Sequence, residues 1–141
     1  MISRRQARRQ ALFLLYQWDL SGQELGSQYA GEIDPWAMEL AEAASANAPE
    51  LDRRITAASE GWAAERLGTV ERSALRVAIT ELDRGEVPAE VAIDEAVTFT
   101  KRYSTDEAGK LVNGILGGIQ RAGAAAEAVG STEARPSGSG T

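Results

Sequence analysis

The chain has 141 residues, 43% of them hydrophobic, and a formal net charge of −6 at pH 7. This length supports one hydrophobic core and gives no reason to expect two large domains. The sequence contains no cysteine and no histidine, which excludes disulfides, thiolate nucleophiles, zinc sites built on these residues and imidazole acid–base catalysis. We therefore expect no enzyme, no metal site and no cofactor.

No segment of the sequence indicates a membrane or an export route. The N-terminal residues lack the apolar core of a signal peptide, and no apolar run is long enough for a membrane span. The absence of cysteine fits a reducing compartment. We therefore expect a cytoplasmic protein without membrane contact.

The first predicted helix runs from Ser3 to Leu20 and begins with a basic cluster. Its core-facing stripe contains Ala7, Ala11, Leu14 and Trp18. The first ten residues hold four arginines and no acidic residue, namely Arg4, Arg5, Arg8 and Arg9. On the side opposite the stripe, Arg5 and Arg9 are followed by Leu12 and Tyr16. We interpret this side as an exposed binding face that begins cationic and ends apolar, since guanidinium groups suit phosphate. The alternative is an ordinary solvated run of charges.

A glycine-containing loop over residues 21–33 separates this helix from two further predicted helices. Asp34 followed by proline is typical of a helix N-terminus and predicts a helix from Trp36 to about Ala46. The next helix is predicted from near Pro49 to Leu67. Trp36 and Trp62 lie on the apolar stripes of these helices, so we expect both in the core.

The segment from Val70 to Leu82 has apolar residues around about half of its helical circumference, so we expect it to be the central helix. Glu81 lies in the middle of its main apolar stripe and needs a partner. Arg72 and Arg76 lie roughly 180° and 140° away on the same helix, too far around to pair with it. We therefore expect Glu81 at an unoccupied site for another protein, with little effect of its neutralisation on stability.

Two more helices complete the predicted fold. After the turn at Val87 and Pro88, one helix carries a polar strip that we interpret as a solvated ion-pair face, formed by Asp94, Glu95, Thr98, Lys101 and Arg102. Ser104 and Glu107 have the spacing of a capping box that opens the last helix. Its interior glycines predict close approach of another backbone or of a ligand; they are Gly109, Gly114, Gly117 and Gly118.

The composition changes near the C-terminus. From Gly123 onward the sequence is dominated by alanine, glycine, serine and threonine, which cannot bury enough apolar surface to fold. We therefore predict a helical domain over residues 1–122 and a disordered tail over residues 123–141.

Several ordered motifs together resemble a known family. They are the arginine-rich segment 4–16, Val70-Glu71-Arg72 through Glu81-Leu82, Pro88 with Val91 to Val97, Lys101-x-Tyr103, and Val112-Asn113-Gly114-Ile115-Leu116. Over about residues 3–120 the chain resembles the NusB family of bacterial transcription antitermination factors. The resemblance implies an all-α fold of two packed helical bundles with about six to seven helices.

The resemblance also implies a function and partners. Such proteins pair with ribosomal protein S10 (NusE), recognise the single-stranded boxA element of leader RNA, and act with RNA polymerase and other Nus factors during ribosomal RNA transcription. By position, Arg4, Arg5, Arg8 and Arg9 match the RNA-binding segment of the family. Tyr16 and Glu81 match residues at its S10 contact. Gly117 departs from the acidic residue that many members carry after Leu116.

Two alternatives stay open at this stage. The first is a protein-interaction or homodimerisation module in which the arginines pack against an acidic surface. The second is the related helical domain of ribosomal RNA cytosine methyltransferases. Those enzymes continue into a long catalytic domain, whereas this sequence stops at Thr141, so we expect the antitermination factor.

Overall fold

The computed structural model describes the backbone of residues 2–60 and 63–139, and the side chains of these residues up to position 126. The described residues form six α-helices and one short 3₁₀ helix, without a strand. The helices are α1 (Arg4–Ser21), α2 (Pro35–Ala46), α3 (Ala48–Ala58), the 3₁₀ helix (Ala64–Arg66), α4 (Thr69–Arg84), α5 (Ala89–Tyr103) and α6 (Asp106–Ser139). The predicted all-α fold is therefore confirmed.

Helix α4 is the centre of the fold, as its apolar periodicity predicted. It packs against each of the other five α-helices, and every residue from Ser73 to Glu81 is buried. The pair α1 and α2 and the pair α5 and α6 each form close contacts, and both pairs contact α4. The core consists of two helical groups that share α4, because this helix is apolar on more than one side.

The helix ends follow the local signals of the sequence in most places. The Asp34 carboxylate accepts hydrogen bonds from the backbone N–H groups of Trp36 and Ala37 at the start of α2. The Glu71 side chain accepts from the backbone of Gly68 at the start of α4. Helix α4 ends at Gly85, which adopts the left-handed conformation with φ of 65°, a conformation that glycine adopts without steric cost.

The single helix predicted from Pro49 to Leu67 is wrong. Helix α3 ends at Ala58 and the 3₁₀ helix begins at Ala64, and between them Glu60 has a φ of 52°. The Thr56 hydroxyl accepts a hydrogen bond from the backbone of Ala64 at 2.9 Å, so a side chain replaces the next helical turn. Trp62, predicted as a core residue, lies outside the described residues, and Trp36 is only partly buried.

Helix α6 differs from its prediction in three respects. Its cap is Thr105, whose hydroxyl accepts from the backbone of Ala108 at 3.0 Å, and not Ser104. A Cβ at Gly109 would collide with the Lys101 side chain, whereas one at Gly114 would meet nothing within 4 Å. The helix continues to Ser139, beyond the predicted domain end at residue 122, and the disorder expected for residues 123–141 stays a prediction.

An ion-pair network joins α4 to the end of α1 and to α3. Arg72 contacts the Asp19 carboxylate at 2.7 Å, and Arg76 contacts Asp52 at 2.7 Å and Asp19 at 3.4 Å. Burial alone would lower the pKa of Arg76, but the hydrogen bonds and charges of Asp52 and Asp19 raise it above its usual value. Both arginines are therefore occupied on the side of α4 that faces away from Glu81.

Candidate nucleic-acid interface

Three of the four N-terminal arginines are exposed on the first turns of α1. The guanidinium of Arg4 lies over the Trp36 ring, 4.2 Å from its centroid. The Arg5 Nε lies 2.7 Å from a Glu95 carboxylate oxygen, yet 69% of the Arg5 side chain remains exposed. Arg9 makes no ion pair with any described residue. These three side chains form a cationic surface at one end of α1, open to solvent and to an anion.

Arg8 has a different place from the one predicted. It is 3% exposed, and its Nε and terminal nitrogen donate hydrogen bonds to the two Glu81 carboxylate oxygens at 2.5 and 2.9 Å. The reason is helical periodicity, since Arg8 precedes the buried Leu12 and Leu15 by four and seven residues. In this structure the Arg8 guanidinium is an internal group, unavailable to a phosphate.

The expectation that Glu81 lacks an internal partner is therefore wrong. The sequence argument compared Glu81 only with Arg72 and Arg76 on its own helix, whereas its partner Arg8 comes from α1, 73 residues earlier. The Glu81 side chain is 4% exposed. Its assignment to the S10 contact stays a prediction, and in this structure the carboxylate is turned towards Arg8.

The rest of the predicted binding face on α1 is only partly exposed. Leu12 is 2% exposed and packs in the core, while Tyr16 is partly buried. A neighbouring aromatic cluster, which sequence reasoning missed, joins Phe13 of α1 to Phe99 and Tyr103 of α5, with ring centroids 4.9 to 5.3 Å apart. The spacing of Phe99 and Tyr103 by one helical turn was the available signal.

One acidic residue of α5, Glu95, pairs with a residue of another helix. Glu95 was predicted to lie on a solvated strip with Lys101 and Arg102, but its side chain is only 15% exposed and its partner is Arg5 of α1. Asp94 is exposed, as predicted. The Arg5–Glu95 pair connects the start of α1 to the middle of α5. It therefore positions the cationic surface relative to the pair of helices α5 and α6.

The described residues contain no group of three or more acidic side chains that could hold a metal ion. Among the same residues, no helix is both long and apolar enough to cross a membrane.

Together, the helical fold and the exposed arginines define a small all-α protein with an exposed cationic surface on its first helix. The NusB family model matches residues 5–121, and the chain belongs to the NusB family. The relatives described next are named transcription antitermination proteins.

Individual relatives cover most of the chain. The transcription antitermination protein NusB of Solibacter usitatus is 37% identical over 132 residues, which are 86% of this chain and 90% of the relative. The same protein of Rubrobacter xylanophilus is 38% identical, over 84% of this chain and 91% of the relative.

Solved structures show the same fold. NusB of T. maritima superposes with a TM-score of 0.73 at 34% identity, covering 85% of this chain and 92% of the other. A structure of the antitermination factors NusB and NusE in complex with double-stranded RNA matches with a TM-score of 0.74 at 31% identity, over 84% of this chain and 96% of the matched chain.

Proposed function

We propose that this protein is a transcription antitermination factor that binds boxA-type single-stranded RNA together with ribosomal protein S10 (NusE) and promotes ribosomal RNA transcription. The observation that carries the proposal is the surface of Arg4, Arg5 and Arg9 on an otherwise acidic chain. The family and the NusB–NusE–RNA structure among its neighbours support it. The site of action is the cytoplasm, in a complex with RNA polymerase and other Nus factors.

The three exposed arginines supply the phosphate contacts. Arg9 is free of ion pairs among the described residues, so its contact with a phosphate requires no bond to be broken first. Arg5 keeps most of its side chain in solvent while it pairs with Glu95, and a guanidinium has enough donors for a carboxylate and a phosphate together. The Arg4 guanidinium lies over the Trp36 ring. This contact already restricts the Arg4 side chain, so Arg4 loses fewer rotamers when it binds a phosphate.

Arg8 and Glu81 serve the same surface indirectly. Their buried pair joins the second turn of α1 to the last turns of α4, so it sets the position of the helix that carries Arg5 and Arg9. We assign Arg8 to this positioning role, and Tyr16, partly exposed two turns further along α1, to the S10 contact.

The salt dependence of RNA binding tests the proposal. The Kd of a fluorescent boxA RNA is measured by anisotropy at several salt concentrations, with and without S10. Replacing both Arg5 and Arg9 with alanine should weaken binding and flatten the slope of log K against log salt by about 0.7 for each lost contact on a single strand. Addition of S10 should tighten binding of the wild-type protein.

A charge-matched control separates specific contacts from net charge. Arg53 of α3 and Arg66 of the 3₁₀ helix are exposed and belong to other elements. Their double alanine variant should keep the wild-type slope. Equal flattening in both variants, or an unchanged slope in the Arg5 and Arg9 variant, would contradict the proposed contacts and favour the protein-interaction module.

A further inference from the structure

A cleft lies beside the cationic surface, between the first turns of α1 and the loop that precedes α2. Its volume is about 250 Å³, smaller than the usual site for a drug-sized ligand and suited to a single ring. It is lined by Ile2, Gln6, Arg9, Gln10, Phe13 and Tyr29. Tyr29 is the only contribution from the loop, a segment outside the motifs on which the family resemblance rests.

The loop is attached to α1 by side-chain hydrogen bonds. The Gln10 Oε1 accepts from the backbone N–H of Asp34 at 2.9 Å, and the Gln10 Nε2 donates to the carbonyl of Glu32 at 3.3 Å. About two turns further along α1, the Gln17 Nε2 donates a hydrogen bond to the carbonyl of Gln28, next to Tyr29, at 3.4 Å. The wall formed by Tyr29 is therefore in place before a ligand arrives, which lowers the entropic cost of binding.

The lining combines aromatic side chains with polar groups. Phe13 and Tyr29 are partly buried, and both pack against the hydrophobic core. Arg9 contributes a guanidinium without an ion pair among the described residues. The Gln6 Oε1 accepts from the backbone of Ser3, so its amide N–H₂ group is left to donate to a ligand.

We propose that this cleft binds one unstacked base of the RNA strand whose phosphates contact Arg5 and Arg9, with Tyr29 as a stacking surface. The inference rests on the proposed function. Single-stranded RNA is read through bases that leave the stack and lie on aromatic or guanidinium planes, and both planes are present here. The adjoining positive charge selects a polyanion as the occupant. The loop thereby carries a determinant of RNA preference.

Substitutions of Tyr29 in the 141-residue protein test this inference. Tyr29→Leu keeps an apolar side chain but removes the ring, and Tyr29→Phe keeps the ring. Because a base–aromatic stack contributes about 1–3 kcal/mol, Tyr29→Leu should raise the Kd for boxA RNA at least about 5-fold. Tyr29→Phe should stay close to the wild-type Kd. The salt slope should be the same in all three proteins, since no phosphate contact changes.

A second readout does not depend on affinity. The fluorescent base 2-aminopurine is placed at each boxA position in turn, and its emission is measured at saturating protein. At one position the wild-type and Tyr29→Phe proteins should quench the emission by stacking, and Tyr29→Leu should not. The unfolding midpoints of the three proteins show whether each of them remains folded. The control is Leu111→Ala, a substitution at an exposed position of α6.

The outcomes separate this inference from the proposed function. The cleft is not a base site if the wild-type protein binds boxA RNA, its 2-aminopurine emission is the same at every position, and a folded Tyr29→Leu variant has an unchanged Kd. That result would leave the proposed function intact. Loss of S10 binding with unchanged RNA binding in Tyr29→Leu would also overturn the cleft as a base site, and would make it a protein contact. Absence of RNA binding in the wild-type protein, with and without S10, would contradict the proposed function itself.

Discussion

The buried pair of Arg8 and Glu81 allows a quantitative prediction for Glu81→Gln. The two side chains are 3% and 4% exposed, and two hydrogen bonds of 2.5 and 2.9 Å join them. Glutamine has nearly the same shape and can still accept one bond, but it leaves the Arg8 charge uncompensated in the core. Removal of one partner of a buried pair costs about 3–5 kcal/mol. We expect a loss near 3 kcal/mol, because one hydrogen bond is retained.

Urea unfolding of the purified variant measures this loss. For a domain of this size, about 3 kcal/mol lowers the melting temperature by about 10 °C, and the urea midpoint should fall without a change in m. An exposed control is Asp83→Asn, which removes the partner of Arg54 in a pair whose Asp83 side chain is 52% exposed. This control should lose less than about 1 kcal/mol.

A double variant separates charge from packing. Replacing Arg8 with methionine and Glu81 with leucine removes both charges and keeps apolar volume, so it should be more stable than Glu81→Gln alone. If Glu81→Gln unfolds at the wild-type midpoint, the carboxylate is solvated in solution. The original expectation of an exposed partner residue would then be correct, and the positioning role of Arg8 would be wrong.

The remaining predictions concern the tail, the partner face and the glycines of α6. Deletion of residues 123–141 should leave the unfolding midpoint unchanged, because this segment is poor in large apolar groups; a midpoint several degrees lower would show that it packs. Tyr16→Ala should weaken S10 binding in a calorimetric titration more than it weakens RNA binding by the free protein, and wild-type S10 affinity would exclude this role. Gly114→Ala should stabilise the protein by about 0.5–1 kcal/mol in thermal unfolding, because a Cβ there meets open space. Gly109→Ala should not, since its Cβ would displace Lys101, and a higher melting temperature for that variant would refute the predicted clash.

Local signals were sufficient for most of the secondary structure and for the central position of α4. Apolar periodicity placed α4 in the core because a helix that is apolar on several sides must have several neighbours. The caps at Asp34 and Gly85 were readable because each depends on residues next to the helix end. The break after Ala58 was missed because Thr56 stops the helix through a hydrogen bond to Ala64, and such a bond has no periodic signature.

For the candidate site, too, some features could be predicted from the sequence and others only from the tertiary structure. Composition and sequence alone determined that histidine and cysteine chemistry is excluded, that cationic residues cluster at the N-terminus, and that Glu81 stands in an apolar stripe and needs a partner. The tertiary structure decided which arginine is that partner, which arginines remain exposed, and that Tyr29 and Arg9 line one cleft. The physical reason is range: helical periodicity relates residues within a few turns, whereas Arg8 and Glu81 are 73 residues apart and meet only after α1 has packed on α4.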